Sequence, residues 1–272
     1  MYESHWQLQG PAFDNGADPT FYYPSEGHQT ALLKLRYTVE NRKGACLLAG
    51  ERGAGKTLLA EMLRRQLPES FRPFVHLVFP QMPAADLLAW LAVELCGPQA
   101  EQIRSIDGSV RAIQKALAAN TAAGKHAVAV IDEAHLIEDS SCWDLLRLLL
   151  NFETAGRPDL TLLLAGQLPL VTTISRMPAW EERLALKCLL RPLSAEETGC
   201  YVLHRLRTAG TPLEIFTPDA LQALHQLANG FPRRINRLAD LALLVGFGEQ
   251  MSEIGAAEVE AVSSELSTVH AE

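Results

Sequence analysis

A chain of 272 residues is long enough for one large domain plus a small one, and its 48% hydrophobic and 21% charged residues are those of a folded globular protein. Disorder and collagen-like repetition are excluded on that composition. The formal charge of -8 opposes broad, nonspecific binding to a phosphate backbone, although a local basic patch is compatible with it.

Residues 1–30 read as an irregular arm, with Trp6, Phe13, Phe21, Tyr22 and Tyr23 set among Pro11, Pro19 and Pro24. Periodicity then predicts a helix over 27–42, a strand over 45–49, a helix from Lys56 that stops at Pro68, and a strand over 74–78. Helices are expected over 84–96 and 109–123, followed by a strand over 127–131. The next helix, 141–153, opens on Ser141-x-x-Asp144, a capping-box pattern. Strands over 160–165 and 184–189 follow. Strands this apolar on both faces, separated by helices, indicate a parallel sheet covered on both sides, a three-layer α/β/α arrangement.

From Ser194 onward the pattern is helical only. Ser194-x-x-Glu197 caps a helix that ends near Gly210; Thr217-Pro218 starts another that ends at Gly230; Pro232 starts a third. The change of pattern near Arg191 divides the chain into an arm (1–30), an α/β core (31–191) and a helical domain (192–272). After Arg237 there is no Lys or Arg, while Glu249, Glu253, Glu258, Glu260, Glu265 and Glu272 follow, so a solvated acidic helix and tail is expected there. The five cysteines are scattered without a C-x-x-C pair, which argues against a disulfide framework and against a zinc site. The start lacks a signal-peptide pattern, and no apolar run approaches the roughly 18 residues that span a bilayer. A reduced, soluble, cytoplasmic protein without an integral membrane segment is the expectation.

Two motifs carry chemistry. Gly50-Glu51-Arg52-Gly53-Ala54-Gly55-Lys56-Thr57 matches G-x-x-x-x-G-K-[ST], with an apolar strand before it and an amphipathic helix after it, and the expected nucleotide-binding stretch runs from Gly50 through Leu58. The glycines permit a tight turn of inward-facing N–H groups, and the helix start adds its own unpaired N–H groups and positive dipole end. Lys56 would reach the β- and γ-phosphates of a nucleoside triphosphate such as ATP, and the Thr57 hydroxyl would ligate Mg²⁺. The second motif is the strand 127–131 running straight into Asp132-Glu133-Ala134-His135. An acid at the carboxyl end of a parallel strand stands where such sheets bind ligands, so Asp132 would hold the metal and Glu133 would polarise the attacking water. Paired acids at this position also serve simply to cap the next helix. His135 is left out of the core site as a turn histidine.

The order of phosphate loop, DEAH strand end, polar residue after the next strand, arginine before a fifth strand and helical lid with Gly-x-x-Arg resembles an AAA+ ATPase. More narrowly the chain resembles the ExeA-type (general secretion pathway protein A) family. The stretches that carry this are Phe21-Tyr-Tyr-Pro-Ser-Glu-Gly-His28, Leu164-Ala-Gly-Gln167, Leu193-Ser-Ala-Glu-Glu-Thr198 with Tyr201 and His204-Arg-Leu206, and Gly230-Phe-Pro-Arg-Arg-Ile-Asn236. The resemblance implies a P-loop NTPase core followed by a small helical AAA+ lid. It places the strand before Gln167 between the phosphate-loop strand and the acidic strand, with Gln167 near the γ-phosphate as a sensor, and makes Arg233 the lid arginine that contacts the nucleotide. Arg183 matches the position of an arginine finger supplied to a neighbouring subunit, with Arg176 and Arg191 as rivals. The amino-terminal aromatics and His28 either contribute to an adenine pocket or merely cover the core. The implied function is an ATP-dependent homo-oligomer that hydrolyses ATP with Mg²⁺ and remodels a protein partner. The alternative is an ATP-dependent DNA-binding regulator like the transposition-target and initiator ATPases, for which the Arg233, Arg234 and Arg237 cluster is the support. Many ExeA-type proteins continue into a membrane helix and a peptidoglycan-binding module; this sequence stops after the lid, so cell-wall anchoring is not implied.

Overall fold

A computed structural model describes residues 1–268. In chain order it forms α1 (Glu26–Glu40), β1 (Ala45–Gly50), α2 (Lys56–Gln66), β2 (Phe74–Leu77), α3 (Ala84–Cys96), α4 (Ile106–Ala122), β3 (Ala127–Ile131) and α5 (Ser140–Leu149). There follow β4 (Glu153–Thr154), β5 (Arg157–Pro158), β6 (Leu160–Gly166), α6 (Pro169–Ser175), α7 (Pro178–Glu181) and β7 (Leu184–Leu190). The chain ends in α8 (Ala195–Thr208), α9 (Pro218–Ala228), α10 (Pro232–Gly248) and α11 (Ala256–Thr268). These elements gather into two compact units, one of residues 29–52 and 59–190, the other of residues 1–28, 53–58 and 191 onward.

The first unit is built on a five-stranded sheet of order β2-β3-β6-β1-β7. Every pairing is parallel: Ala129 lies opposite Leu162, Leu47 opposite Leu164, and Gly50 opposite Leu190. Every residue of β1, β3 and β6 is buried, which is why these strands are apolar at successive positions instead of alternating. Leu47, Ala129, Ile131, Leu162 and Leu164 belong to a core shared with Leu87, Leu91, Ile113, Leu146 and Trp180 of the helices that follow β2, β3 and β6. The alternate set, Cys46, Leu48, Val128, Val130 and Leu163, is equally buried, so both faces are covered. β6 lies between β1 and β3, the placement the resemblance implied.

Two helices of this unit differ at their ends from the expected bounds. The helix expected from Ser141 begins one residue earlier and is capped by Asp139, whose Oδ1 accepts from the Ser141 N–H at 2.8 Å. It also ends at Leu149, because residues 150–159 turn back through the short antiparallel pair β4 and β5. Aspartate caps as well as serine does, so the Asp139-Ser140-Ser141 run offered several starts, and strands of two residues leave no alternation to read. The helix expected from Ser109 starts at Ile106, with Ser105 accepting from the Gly108 N–H at 3.1 Å.

The second unit is helical. Ser194 and Glu197 form the expected capping box: Ser194 Oγ accepts from the Glu197 N–H at 3.1 Å and the Glu197 carboxylate accepts from the Ser194 N–H at 2.9 Å. Such a cap contributes about 1 kcal/mol. Thr217 caps α9 through the Ala220 N–H, and α10 starts on Pro232. Between them Gly230 packs so tightly that a Cβ there would lie 2.2 Å from the Leu193 carbonyl oxygen. Residues 1–28 are part of this unit: Trp6, Leu8, Ala12 and Phe13 are buried in one core with Val202, Leu206, Leu224, Ile235 and Leu243. The Trp6 Nε1–H donates to the Leu243 carbonyl at 2.9 Å. Buried Arg205 donates to the carbonyls of Ala12 and Asp14 at 2.6 and 2.8 Å and lies 4.5 Å from the centre of the Phe21 ring. The acidic C-terminal segment is a helix, but not a solvated one throughout, since Val259 and Val262 of α11 are buried in the same core. Glu272 of the expected tail lies outside the described residues. Among the described residues no helix is long and apolar enough to cross a membrane.

Candidate functional site

The phosphate loop leaves β1 at Gly50 and enters α2 at Lys56. Its two central glycines, Gly53 and Gly55, have φ of 83° and 92°, a left-handed backbone that only glycine adopts without strain. A Cβ on Gly53 would lie 2.5 Å from the Cβ of Arg233, and one on Gly55 would lie 2.8 Å from the Nε2 of His28. Lys56 is buried, Ala54 is buried, Leu58 is half-buried, and Glu51, Arg52 and Thr57 are exposed. A buried ammonium at the first turn of a helix, beside a loop of left-handed glycines, suits a phosphate chain.

Arg233, second residue of α10, stands against this loop, its N–H directed at the Gly53 carbonyl at 3.4 Å. Arg234 and Arg237 of the same helix are exposed. Beside the loop is a small cleft of about 40 Å³ lined by Tyr22, Tyr23, His28, Gly55, Leu58 and Pro232 among others. The Tyr22 hydroxyl is buried with no hydrogen-bond partner, an arrangement that costs about 1–3 kcal/mol until something pairs with it. Burial pushes the His28 imidazole below its ordinary pKa, opposed by its hydrogen bond to Ala54 and by Glu197.

In the sheet unit the carboxyl ends of β3, β6 and β1 stand side by side and lead into Asp132, Gln167 and the loop that starts at Gly50. Asp132 is buried, its Oδ1 accepting from the Glu133 N–H at 2.9 Å and its Oδ2 lying 3.3 Å from His76 Nε2 on the neighbouring strand. Glu133 has φ 49° and ψ 32° and makes no side-chain capping bond to the short 3-10 turn Ala134–Leu136 that follows. The capping alternative for Glu133 therefore fails. A non-glycine residue in the left-handed region is uncommon and gathers at functional sites. The Glu133 carboxylate lies 3.3 Å from His135 Nδ1, and Gln167 Nε2 lies 2.9 Å from His135 Nε2. The Gln167 backbone N–H also donates to His135 Nδ1 at 3.4 Å.

His135 thus bridges the two predicted residues, and His76 braces the third. Sequence reading set His135 aside and missed His76, because only strand adjacency brings them there. Arg183 is not brought to this edge. β7 runs parallel to β1 with Leu184 opposite Ala45, so Arg183 sits at the amino-terminal edge, donating to Asn151 Oδ1 at 2.6 Å and lying 3.9 Å from Glu153. Of its rivals, Arg176 ends α6 and Arg191 follows β7. Among the described residues no cluster of three His, Cys, Asp or Glu could hold a metal; Mg²⁺ is ordinarily held by one or two side chains together with substrate phosphates, and Thr57 and Asp132 are of the right chemistry for that.

A parallel sheet with a phosphate loop after one strand and acids after another, followed by helices, defines a P-loop NTPase of the AAA+ class. Residues 39–174 match the family described as AAA domain, and the chain belongs to it. Along its whole length it is 35% identical, over 276 residues, to General secretion pathway protein A of Aeromonas hydrophila, and it spans 50% of the length of that protein. The fold is shared with the Aeropyrum pernix ORC1 protein, solved in complex with DNA, at a TM-score of 0.71 and 15% identity over 96% of this chain and 69% of that one. Pyrobaculum aerophilum Cdc6p gives a TM-score of 0.71 at 18% identity over 90% and 70% of the two chains. The RuvB Holliday junction branch migration motor of Thermotoga maritima gives 0.61 at 16% identity over 89% and 70%.

Proposed function

We propose that this chain binds and hydrolyses ATP with Mg²⁺, as an ATP-dependent homo-oligomer in the cytoplasm, and uses the cycle to change the conformation of a protein partner. The observation that carries this reading is the carboxyl edge of the sheet, where Gln167 follows β6, the strand beside the phosphate-loop strand, and Asp132 and Glu133 follow β3, one strand further out. Gly50, Gly53, Gly55 and the N–H groups around them would receive the phosphates, and Lys56 would neutralise the terminal two. Thr57 and Asp132 would hold Mg²⁺, which when bound screens the charge of the phosphate chain. Glu133 would take a proton from the attacking water, with His135 orienting its carboxylate and Gln167 placed to align that water. Arg233 would sense the nucleotide from the helical unit.

Arg183, at the far edge of its own sheet, would act in a neighbouring copy, where such an arginine is worth about 10³–10⁵ in rate. The relatives' names speak for secretion and for DNA-associated machines; the 35% identity to General secretion pathway protein A supports a protein client over DNA. The test is Glu133→Gln. It is expected to keep ATP affinity and to lose turnover by about 10³-fold, the size of a general-base contribution. Unchanged phosphate release would remove Glu133 from its role, and strong stimulation of the wild type by duplex DNA would shift the client from protein to DNA.

A further inference from the structure

His28 lies two residues into α1, far along the sequence from the phosphate loop, yet it is buried and its Nε2 sits 2.9 Å from the carbonyl oxygen of Ala54. A carbonyl only accepts, so Nε2 carries the proton. Nδ1 is then bare and accepts from the Ser25 hydroxyl at 2.6 Å, while Ser25 Oγ itself accepts from the His28 backbone N–H at 3.3 Å. Every donor and acceptor in this run is matched in one direction only, which fixes the tautomer and the ring. The Tyr22 ring packs edge-on to the imidazole at 6.4 Å.

The consequence falls on one peptide. In a trans peptide the C=O and the following N–H point opposite ways. Holding the Ala54 carbonyl on the histidine side therefore turns the Gly55 N–H to the other side. Were that peptide to flip, a carbonyl oxygen would be presented where an amide donor is wanted, and an anion would be repelled. The left-handed φ of Gly55 and the 2.8 Å approach that a Cβ there would make to His28 Nε2 show how closely loop and imidazole are fitted.

We infer that His28 is a positioning residue for nucleotide binding: a neutral imidazole strut that sets the Ala54–Gly55 peptide in the orientation that receives a phosphate. The inference rests on the ATP-binding reading above and deepens it by assigning the loop's conformation to the amino-terminal segment. The test compares wild type with His28→Ala, His28→Gln and Ser25→Ala. Affinity for Mg²⁺ with a nonhydrolysable ATP analogue is measured by calorimetry, kcat and KM by phosphate release, and the melting temperature without nucleotide.

For His28→Ala, Kd and KM are expected to rise about tenfold with kcat within about twofold, the effect of one lost ordering hydrogen bond. His28→Gln keeps an N–H within reach of the carbonyl and is expected to recover most of the affinity. Ser25→Ala is expected to raise KM about threefold. An unchanged KM in His28→Ala, or a lowered melting temperature with no loss of affinity, overturns the strut; so does a His28→Gln variant as weak as His28→Ala. If His28→Ala does not fold, an unchanged KM in Ser25→Ala overturns it instead. Loss of analogue binding in Lys56→Ala with none in His28→Ala would sink the strut and leave the ATP reading standing, whereas a wild type that takes up no nucleotide would sink both.

Discussion

The sheet unit and the helical unit reach stability by different routes. In the sheet unit β1, β3 and β6 are buried along their whole length, so polar side chains are driven to the strand ends, and the ends become the place where chemistry is concentrated. The helical unit has no such sorting device. It relies on local caps at Ser194 and Thr217 and on one long-range lock, in which Trp6 and Arg205 fasten the amino-terminal segment to the carboxyl-terminal helices. The lesson is that a sheet advertises its functional edge, while a helical lid conceals what holds it.

The largest effect that would test this contrast comes from the lock. Trp6 is 1% exposed, and Trp6→Ala is expected to destabilise the helical unit by about 3–5 kcal/mol, the range for large aromatic truncations. Hydrogen exchange should quicken first in α8 and α10 while amides of β1, β3 and β6 stay protected. Equal loss of protection in the sheet would break the comparison.

A titration probes the sheet unit next. His126 is fully buried, its Nε2 2.8 Å from Thr161 Oγ1 and its Nδ1 without a partner. Burial, and secondarily the charge of Arg42, pushes its pKa down to about 4. The folded state therefore binds this proton more weakly than the unfolded chain. The stability it contributes is complete above about pH 6.5 and drains away as pH falls toward 4, amounting to ~2–3 kcal/mol by pH 4.5. Urea unfolding at pH 7.5 and 4.5 should register that loss, and His126→Gln should flatten it. A slope that persists in the variant would assign the loss elsewhere, for instance to His28 and His204 of the helical unit, which burial shifts in the same direction.

The smallest effect concerns Arg233, proposed above to sense the nucleotide. Arg233→Ala is expected to weaken nucleotide affinity about tenfold, or ~1.4 kcal/mol, with little change in the melting temperature of the free protein, because the side chain is exposed. A variant that loses stability but not affinity would make Arg233 a packing residue of the helical unit.

The same contrast governs what could be read from the amino acids. The strands and their order-giving motifs were legible because burial on both faces forces continuous apolar runs, and the glycine spacing from Gly50 to Gly55 leaves few other readings. The caps at Ser194 and Thr217 were legible because capping is local. The cap at Asp139 went unread because Ser141 offers the same kind of oxygen two residues later. The hairpin of β4 and β5 was too short to leave a pattern. His76 and His135 acquire meaning only through neighbouring strands, and the bond from Arg205 to Ala12 joins residues that no local signal connects.

The glycine at position 230 has a consequence beyond its own turn. What crowds it is main chain, the Leu193 carbonyl and amide, and main chain cannot swing aside as a flexible side chain can. The corner between α9 and α10 thus works like a keyway cut for a residue without a side chain. The heading of α10, and with it the direction in which Arg233 leaves the helix three residues later, is inherited from a missing methyl group.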